Sequence, residues 1–342
     1  MLILTAKTVR EYTMKSSENN GQARRLCVYF FYDKDGIVDD YVVYYLKEMR
    51  PFFTDICVVV NGKLTTESSS KLKVVCDRLL VRENVGFDAW AYKYALDSYG
   101  LDYIAQNFDE VLLNNFTCFG PIGSFKPMFD KMNRSVCDFW GHCRYFPQRG
   151  LKVLGQFVPE HLMSYFILFR KKILLSSAWK SYWDTLKHIN NYDDARLNHE
   201  FRLTGFFEQR GFISDSFINA QRCYELKKNN IVFDSYYQLK SEHSPLLKRK
   251  VFFVQNGKYD FYLPFSRYNK ILYYVTSHHL YDMRMAFANL MRTGNFSFSD
   301  GKVTLFKRFK SWFLDDVIRL KNSQSNLAAY PDFDYIKKIM KL

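Results

Sequence analysis

Between residues 26 and 115 the chain repeats one unit. A short apolar run rich in β-branched and aromatic residues stops on a polar or glycine-containing turn, and a stretch with helical spacing follows. The first run, residues 26–32, ends at Asp33-Lys34-Asp35-Gly36, and a helix with an acidic first turn is predicted over 39–49. Further strands are predicted over 55–60, 77–81 and 110–113, with helices over 68–73, 89–99 and 101–108. Strands that alternate with helices are joined by crossovers. The expected fold is therefore α/β, a mostly parallel sheet flanked by helices on both faces.

Such a sheet constrains where a ligand sits, because the crevice beyond the carboxyl ends of parallel strands is the open face of the fold. Four strand ends carry polar loops that would line one edge: Asp33, Asn61-Gly62, Asn84 with Gly86 and Asp88, and Asn114-Asn115 followed by Thr117. A nucleotide fits an elongated crevice of this kind. The loops contain neither G-x-G-x-x-G nor a P-loop, which disfavours ordinary dinucleotide binding and nucleoside-triphosphate hydrolysis. Gly86 permits a positive φ and close backbone approach, and Asn84 supplies an amide that can bond a donor molecule. Asp88 opens the helix that follows, where it serves either as a ligand-binding acid or as a helix cap.

Composition narrows the function classes. The seven cysteines are an odd number without a C-x-x-C pair, so neither a disulfide framework nor a zinc site is indicated and reduced, cytoplasmic thiols are expected. The N-terminal 15 residues contain too short an apolar stretch for a signal peptide. The formal net charge of +14 is uneven: residues 221–342 hold 21 Lys and Arg against 10 Asp and Glu. That basic part suits nucleic acid, anionic lipid or a phosphorylated substrate, and no nucleic-acid-binding signature accompanies it. Residues 302–314, KVTLFKRFKSWFL, interleave basic and aromatic side chains as an interfacial amphipathic helix does, and as a packed helix with a solvated face also can.

Five segments in order, RENVGFDAWAYKYAL, LLNNFTCFGP, CDFWGHCRYF, HLMSYFILFRKKIL and NHEFRLTGFFEQRGF, resemble the rhamnan synthesis protein F family of glycosyltransferases. A later SPLLK at 244–248 and the helix predicted around 281–292 extend the resemblance. It implies a GT-A-like, Rossmann-related catalytic domain over about residues 25–215, preceded by an N-terminal extension (1–24) and followed by a basic, mainly helical region (216–342). The implied activity is transfer of rhamnose or another hexose or deoxyhexose, with inversion. The donor would be a nucleoside-diphosphate sugar, and the acceptor a growing, lipid-linked or free, surface polysaccharide. The implied location is cytoplasmic, with the basic region resting on the anionic inner face of the plasma membrane.

Glycosyl transfer needs neutralisation of the departing diphosphate and, when inverting, a base for the acceptor hydroxyl. Many GT-A enzymes meet the first need with Mg²⁺ or Mn²⁺ held by an acidic strand end, and relatives here carry an Asn-Asp-Ser type of sequence. This chain has Asn114-Asn115-Phe116-Thr117 instead, and an amide brings no charge to a hard cation. Either Asp88 or another acid holds a divalent cation, or basic groups take over its role. The expected donor contacts are Asp33, Asn61, Asn84, Gly86, Asp88, Asn114, Asn115 and Thr117. Glu200 and Asp138 are the two candidate general bases. His161 and Ser164, just before the apolar run at 165–169, are the expected acceptor contacts.

Overall fold

The computed structural model describes residues 23–146, 152–153, 155–218, 235–252 and 265–293. The strands are β1 (Arg25–Tyr32), β2 (Asp55–Asn61), β3 (Arg78–Arg82), β4 (Glu110–Asn115), β5 (Cys118–Phe119), β6 (Phe139–Tyr145), β7 (Lys152–Val153), β8 (Gln156–Phe157), β9 (His161–Leu162), β10 (Phe166–Arg170), β11 (Ser214–Ile218) and β12 (Leu247–Lys248). The main sheet has the order β11-β6-β10-β4-β1-β2-β3, with β9 paired to β6. Every pairing along that path is parallel except those of β10, which runs antiparallel to both β4 and β6. Helices α1 (Asp40–Met49), α2 (Thr66–Lys73), α3 (Phe87–Tyr99) and α4 (Leu101–Asn107) supply the crossovers of the first half. This is the expected GT-A-like α/β arrangement.

The strand residues explain the layering. Residues 26–30 of β1 and 56–61 of β2 are buried, as strands covered on both faces must be, and they read as continuous apolar runs. Alternation along β1 sends Leu26, Val28 and Phe30 into one core with Tyr92, Ala95 and Leu96 of α3, while the Tyr29 ring lies 5.6 Å from the ring of Tyr45 on α1. The chain moves outward from β1 to β2 to β3 and then returns past β1 to β4. The strand order therefore reverses between β1 and β4, the place where α/β sheets open a ligand crevice.

Three elements differ from expectation. β4 runs on through both amides to Asn115, so Asn114 and Asn115 are strand residues and point to opposite faces of the sheet. The apolar run at 165–169 is a reversed strand in the middle of the sheet. β11 carries the sheet past residue 215, where the catalytic domain was expected to end.

The C-terminal region is helical over Ser235–Ser241, Phe265–Ser277 and Met283–Arg292, but it also contributes β12, which pairs antiparallel with β5. A side chain at Gly120 would come within 2.6 Å of the Pro245 carbonyl oxygen, so glycine is what lets this segment lie so close. The chain divides into two compact units, Met1–Val251 with Tyr262–Ala286, and Phe252–Phe261 with Phe287–Leu342. Within the second, the rings of Phe252 and Phe287 meet edge to face. Among the described residues no helix is long and apolar enough to cross a membrane. The amphipathic segment expected at 302–314, and residues 1–22 of the N-terminal extension, lie outside the described residues.

Candidate active site at the strand-order reversal

The crevice beyond β4 is built on Asn115. Its amide nitrogen donates to Asp88 Oδ2 at 3.0 Å, and its oxygen accepts from the Thr117 hydroxyl at 2.6 Å and the Thr117 backbone N–H at 3.2 Å. Asp88 sits in the first turn of α3, where an acid complements the helix dipole, and its other oxygen accepts from the Ala89 N–H at 3.0 Å. Gly86 shapes the approach: its φ is +75°, and a Cβ there would fall 2.4 Å from the Trp90 side chain.

Lys248 enters this site from β12. Its ammonium donates to Thr117 Oγ1 at 3.0 Å and lies 3.5 Å from the centroid of the Tyr165 ring, a close cation–π contact. Burial pushes the Lys248 ammonium below the usual lysine value, partly offset by Cys118, Glu200 and Asp88, while Lys250 adds to the depression. The next residue locks the strap down. The Arg249 N–H donates to the Thr117 carbonyl at 3.0 Å, and its guanidinium donates to the Phe116 carbonyl at 3.3 Å.

Tyr165 connects this corner to a buried histidine. The Ser244 hydroxyl donates to the Leu246 carbonyl at 2.8 Å, so at His142 it accepts from Nε2–H, also at 2.8 Å. Nδ1 is then the acceptor for the Tyr165 hydroxyl at 2.6 Å. That neutral tautomer agrees with its surroundings: burial, and secondarily Lys248, push the His142 imidazole down to about 3.

Glu200, His161 and Ser164 form the third part. Residues Arg196–Glu200 make one wide π-type turn before the helix Phe201–Glu208, and such turns re-aim side chains. Glu200 accepts from the Ser164 hydroxyl at 2.8 Å, and its other oxygen is 3.7 Å from His161 Nε2. His161 Nδ1 donates to the Pro159 carbonyl at 2.7 Å, which fixes the ring with Nε2 toward Glu200. Burial pushes the Glu200 carboxyl up, but His161, Ser164 and the charge of Lys248 outweigh it and bring it down to about 2.

The other expected residues are placed elsewhere or otherwise engaged. Asn114 faces α1, where it is buried and donates to the Tyr45 hydroxyl at 2.5 Å, so it packs in the core on the far side of the sheet from Asn115. Asp138 precedes β6 at its amino end, the opposite pole from the crevice. There it accepts from Lys172 Nζ and the Ile213 N–H, each at 2.9 Å, and cannot serve as the base. Asp33 caps its own turn, accepting from the Asp35 and Ile37 N–H groups at 3.0 and 3.1 Å. Asn61 is fully buried between the Phe87 carbonyl and Arg82, bracing the loop rather than facing outward. Asn84 is exposed at the rim.

A divalent cation, as GT-A relatives employ, finds few protein ligands at this strand end. Asn115 spends its oxygen on Thr117, Asp88 is the acid hydrogen-bonded to it, and the Lys248 ammonium occupies the adjoining Thr117 hydroxyl. A cation such as Mg²⁺ would have Asp88 as its carboxylate here and would draw its other ligands from donor phosphates and water, while the neighbouring ammonium repels it. Among the described residues, no group of three or more His, Cys, Asp and Glu side chains is placed to hold a metal.

Lys248, Tyr165 and His142 were not among the residues expected from sequence. The SPLLK match at 244–248 was the available signal, but nothing local tells that it crosses to Thr117.

The sheet order and the polar crevice at its reversal define a GT-A-like α/β protein. More particularly, the chain belongs to the rhamnan synthesis protein F family, whose model matches residues 56–325. It is 22% identical over 191 residues to the uncharacterized protein y4gN of Sinorhizobium fredii, a match that covers 53% of this chain and 47% of that protein. The chain thus spans about half the length of the curated relative it matches. Among solved structures it is similar to glucosyl-3-phosphoglycerate synthase from Mycobacterium tuberculosis, with 11% identity, 45% of this chain, 59% of that chain and a TM-score of 0.30. It is also similar to the mannosyltransferase Ktr4p from S. cerevisiae, with 10% identity, 59% of this chain, 68% of that chain and a TM-score of 0.33. At those scores the two likenesses carry no weight for function.

Proposed function

We propose that this protein is a glycosyltransferase that takes a nucleoside-diphosphate sugar as donor and a hydroxyl of a growing surface polysaccharide as acceptor. Rhamnose or a related hexose or deoxyhexose is the transferred sugar, and the anomeric configuration inverts. The observation that carries this reading is that the Lys248 ammonium, bonded to Thr117, interacts electrostatically with both Glu200, which Ser164 and His161 hold, and Asp88, which Asn115 holds.

In the proposed reaction the acceptor oxygen forms its bond to the anomeric carbon as the bond from that carbon to the diphosphate oxygen breaks. The nucleoside diphosphate leaves with the electron pair, and the acceptor proton passes to the Glu200 carboxylate. A carboxyl held down to about 2 stays ionised at neutral pH but is a weak base. Its chief service is to hold the acceptor hydroxyl with Ser164 and to balance positive charge at the anomeric centre, taking the proton late. The second N–H of the Asn115 amide and the remaining lone pair of the Thr117 hydroxyl are left for the donor at the end of β4. The basic region (216–342) is proposed to keep the enzyme at the cytoplasmic leaflet, where a lipid-linked acceptor presents its glycan.

The test is a thermal-shift screen of nucleotide sugars, followed by release of nucleoside diphosphate from the donor that stabilises the protein. Glu200→Gln is expected to slow transfer by roughly 10²- to 10⁴-fold while donor binding persists. If no nucleotide sugar raises the melting temperature and none is turned over, the reading fails. The low basicity of Glu200 and the amide at 115 favour one second reading, a glycan- or nucleotide-sugar-binding protein that has lost turnover. Donor binding without product, in wild type and Glu200→Gln alike, would select it. For the membrane role, removal of residues 302–342 should abolish binding to anionic liposomes, and unchanged binding would exclude that segment.

A further inference from the structure

We propose that the Lys248 ammonium is the resident cation of this site and binds the donor's diphosphate directly, in place of a divalent metal. The inference rests on the donor-site reading above and adds to it the group that neutralises the leaving diphosphate.

Three observations point the same way. The first is position: the β12–β5 pairing sets Leu247 opposite Phe119 and Lys248 opposite Cys118, which brings a lysine to the end of β4 from a point 131 residues beyond Thr117. The second is how the ammonium is held. Its partners are a neutral hydroxyl and the face of the Tyr165 ring, and among the described residues it forms no ion pair. An ammonium has three N–H donors, and one is spent on Thr117, so the group retains capacity for phosphate oxygens. A half-buried ammonium without a directly paired anion is costly to keep, and a bound diphosphate lowers that cost.

The third observation is the division of labour along Lys248-Arg249-Lys250. Arg249 is committed to the Phe116 carbonyl and to the rings of Tyr41, Phe116 and Phe119. Lys250 is exposed and donates to the Tyr192 hydroxyl at 3.1 Å. Lys248 alone of the three reaches the Thr117 hydroxyl beside Asn115, the position that would otherwise carry a metal-binding acid. The His142–Ser244 bond and the Arg249 backbone bond to Thr117 pin the strap on both sides of the lysine, so the charge is presented by a fixed backbone. As the diphosphate leaves, the positive charge is already in place and no metal need be recruited.

The experiment is calorimetric titration of the full chain with UDP, GDP and dTDP and with the matching nucleosides, in EDTA and again in Mg²⁺ or Mn²⁺. One diphosphate should bind with the same affinity in EDTA as in either metal. Lys248→Met should weaken that diphosphate by roughly 10- to 100-fold and leave the nucleoside unchanged, with Lys248→Arg falling between. The nucleoside arm and the melting temperature report whether a variant has folded, and the wild-type EDTA arm needs no variant. A wild type whose diphosphate affinity rises tenfold or more with metal, or a folded Lys248→Met that binds as tightly as wild type, overturns the proposal and leaves the donor site standing. A wild type that binds none of the three diphosphates in either buffer overturns the donor-site reading as well.

Discussion

The two poles of the sheet handle buried charge in opposite ways. At the amino ends of β1 and β4, Glu110 is clasped by Arg25 at 2.5 Å and Arg170 at 3.2 Å, and Arg170 also donates to the Ser135 and Cys137 carbonyls at 2.6 and 2.8 Å. A cavity of about 600 Å³ lies there, but its charged lining is already paired, Lys126 with Asp130 included. At the carboxyl ends, Asp88 is held by an amide, Lys248 by a hydroxyl, and Glu200 by a hydroxyl and a histidine. Among the described residues neither Asp88 nor Lys248 has a direct ion-pair partner. Charges locked to opposite charges stabilise a fold. Asp88 and Lys248, positioned by neutral groups, remain able to meet a ligand, which is why the functional reading belongs to the carboxyl pole in spite of the hollow at the other.

Changes at each pole can break this contrast. Glu110→Ala should have the largest effect on stability, since it removes the carboxylate shared by the buried Arg25 and the half-buried Arg170: a loss of about 3–5 kcal/mol in urea denaturation, without a specific loss of donor affinity in the protein that remains folded. A loss under 1 kcal/mol, on the order of a surface pair, would erase the distinction.

At the carboxyl pole, acid should act through His142. Its folded-state value of about 3 lies below the ordinary histidine value of 6.5, so the unfolded chain binds the extra proton first. The stability contributed is complete above about pH 6.5 and is lost as pH falls toward 3, a loss of about 3 kcal/mol by pH 4. His142→Gln should flatten that slope by about one proton in unfolding curves measured across the window. Glu200 adds a second loss at lower pH, from about 4.5 toward 2, because its folded value is depressed.

Gly86→Ala should cost about 1–3 kcal/mol, since the left-handed φ and the Trp90 contact both oppose a Cβ, and it should weaken the donor by displacing Asp88. A neutral outcome would mean the loop adapts. The smallest effect is expected from Tyr45→Phe, which removes the partner of Asn114: about 1 kcal/mol of stability and no change in donor affinity. Asn115→Ala should show the reverse pattern, and equal effects of the two would contradict their assignment to opposite faces.

Much of the architecture was legible from local pattern. The strands at 26–32, 55–60, 77–81 and 110–113 were found within a few residues because buried parallel strands are written as apolar runs closed by turns. The Glu200, His161 and Ser164 expectations also meet in one cluster, although they were assigned separate roles. Asp138 was misjudged because a carboxylate beside a strand reads the same at either end, and the direction of β6 in the sheet decides which pole it occupies.

What the sequence by itself determined is the set of strands and helices, the polar character of the strand ends and membership in a family. These depend on contacts within a few residues, where periodicity and turn chemistry act directly. What only the tertiary structure decided is which side chains share a space. Asn114 and Asn115 are neighbours in the chain, but the pleat sends one to Tyr45 and the other to Asp88. Lys248 and Thr117 are far apart in the chain, but a two-residue strand joins them. Such pairings depend on where the whole sheet closes, and no local window contains that information.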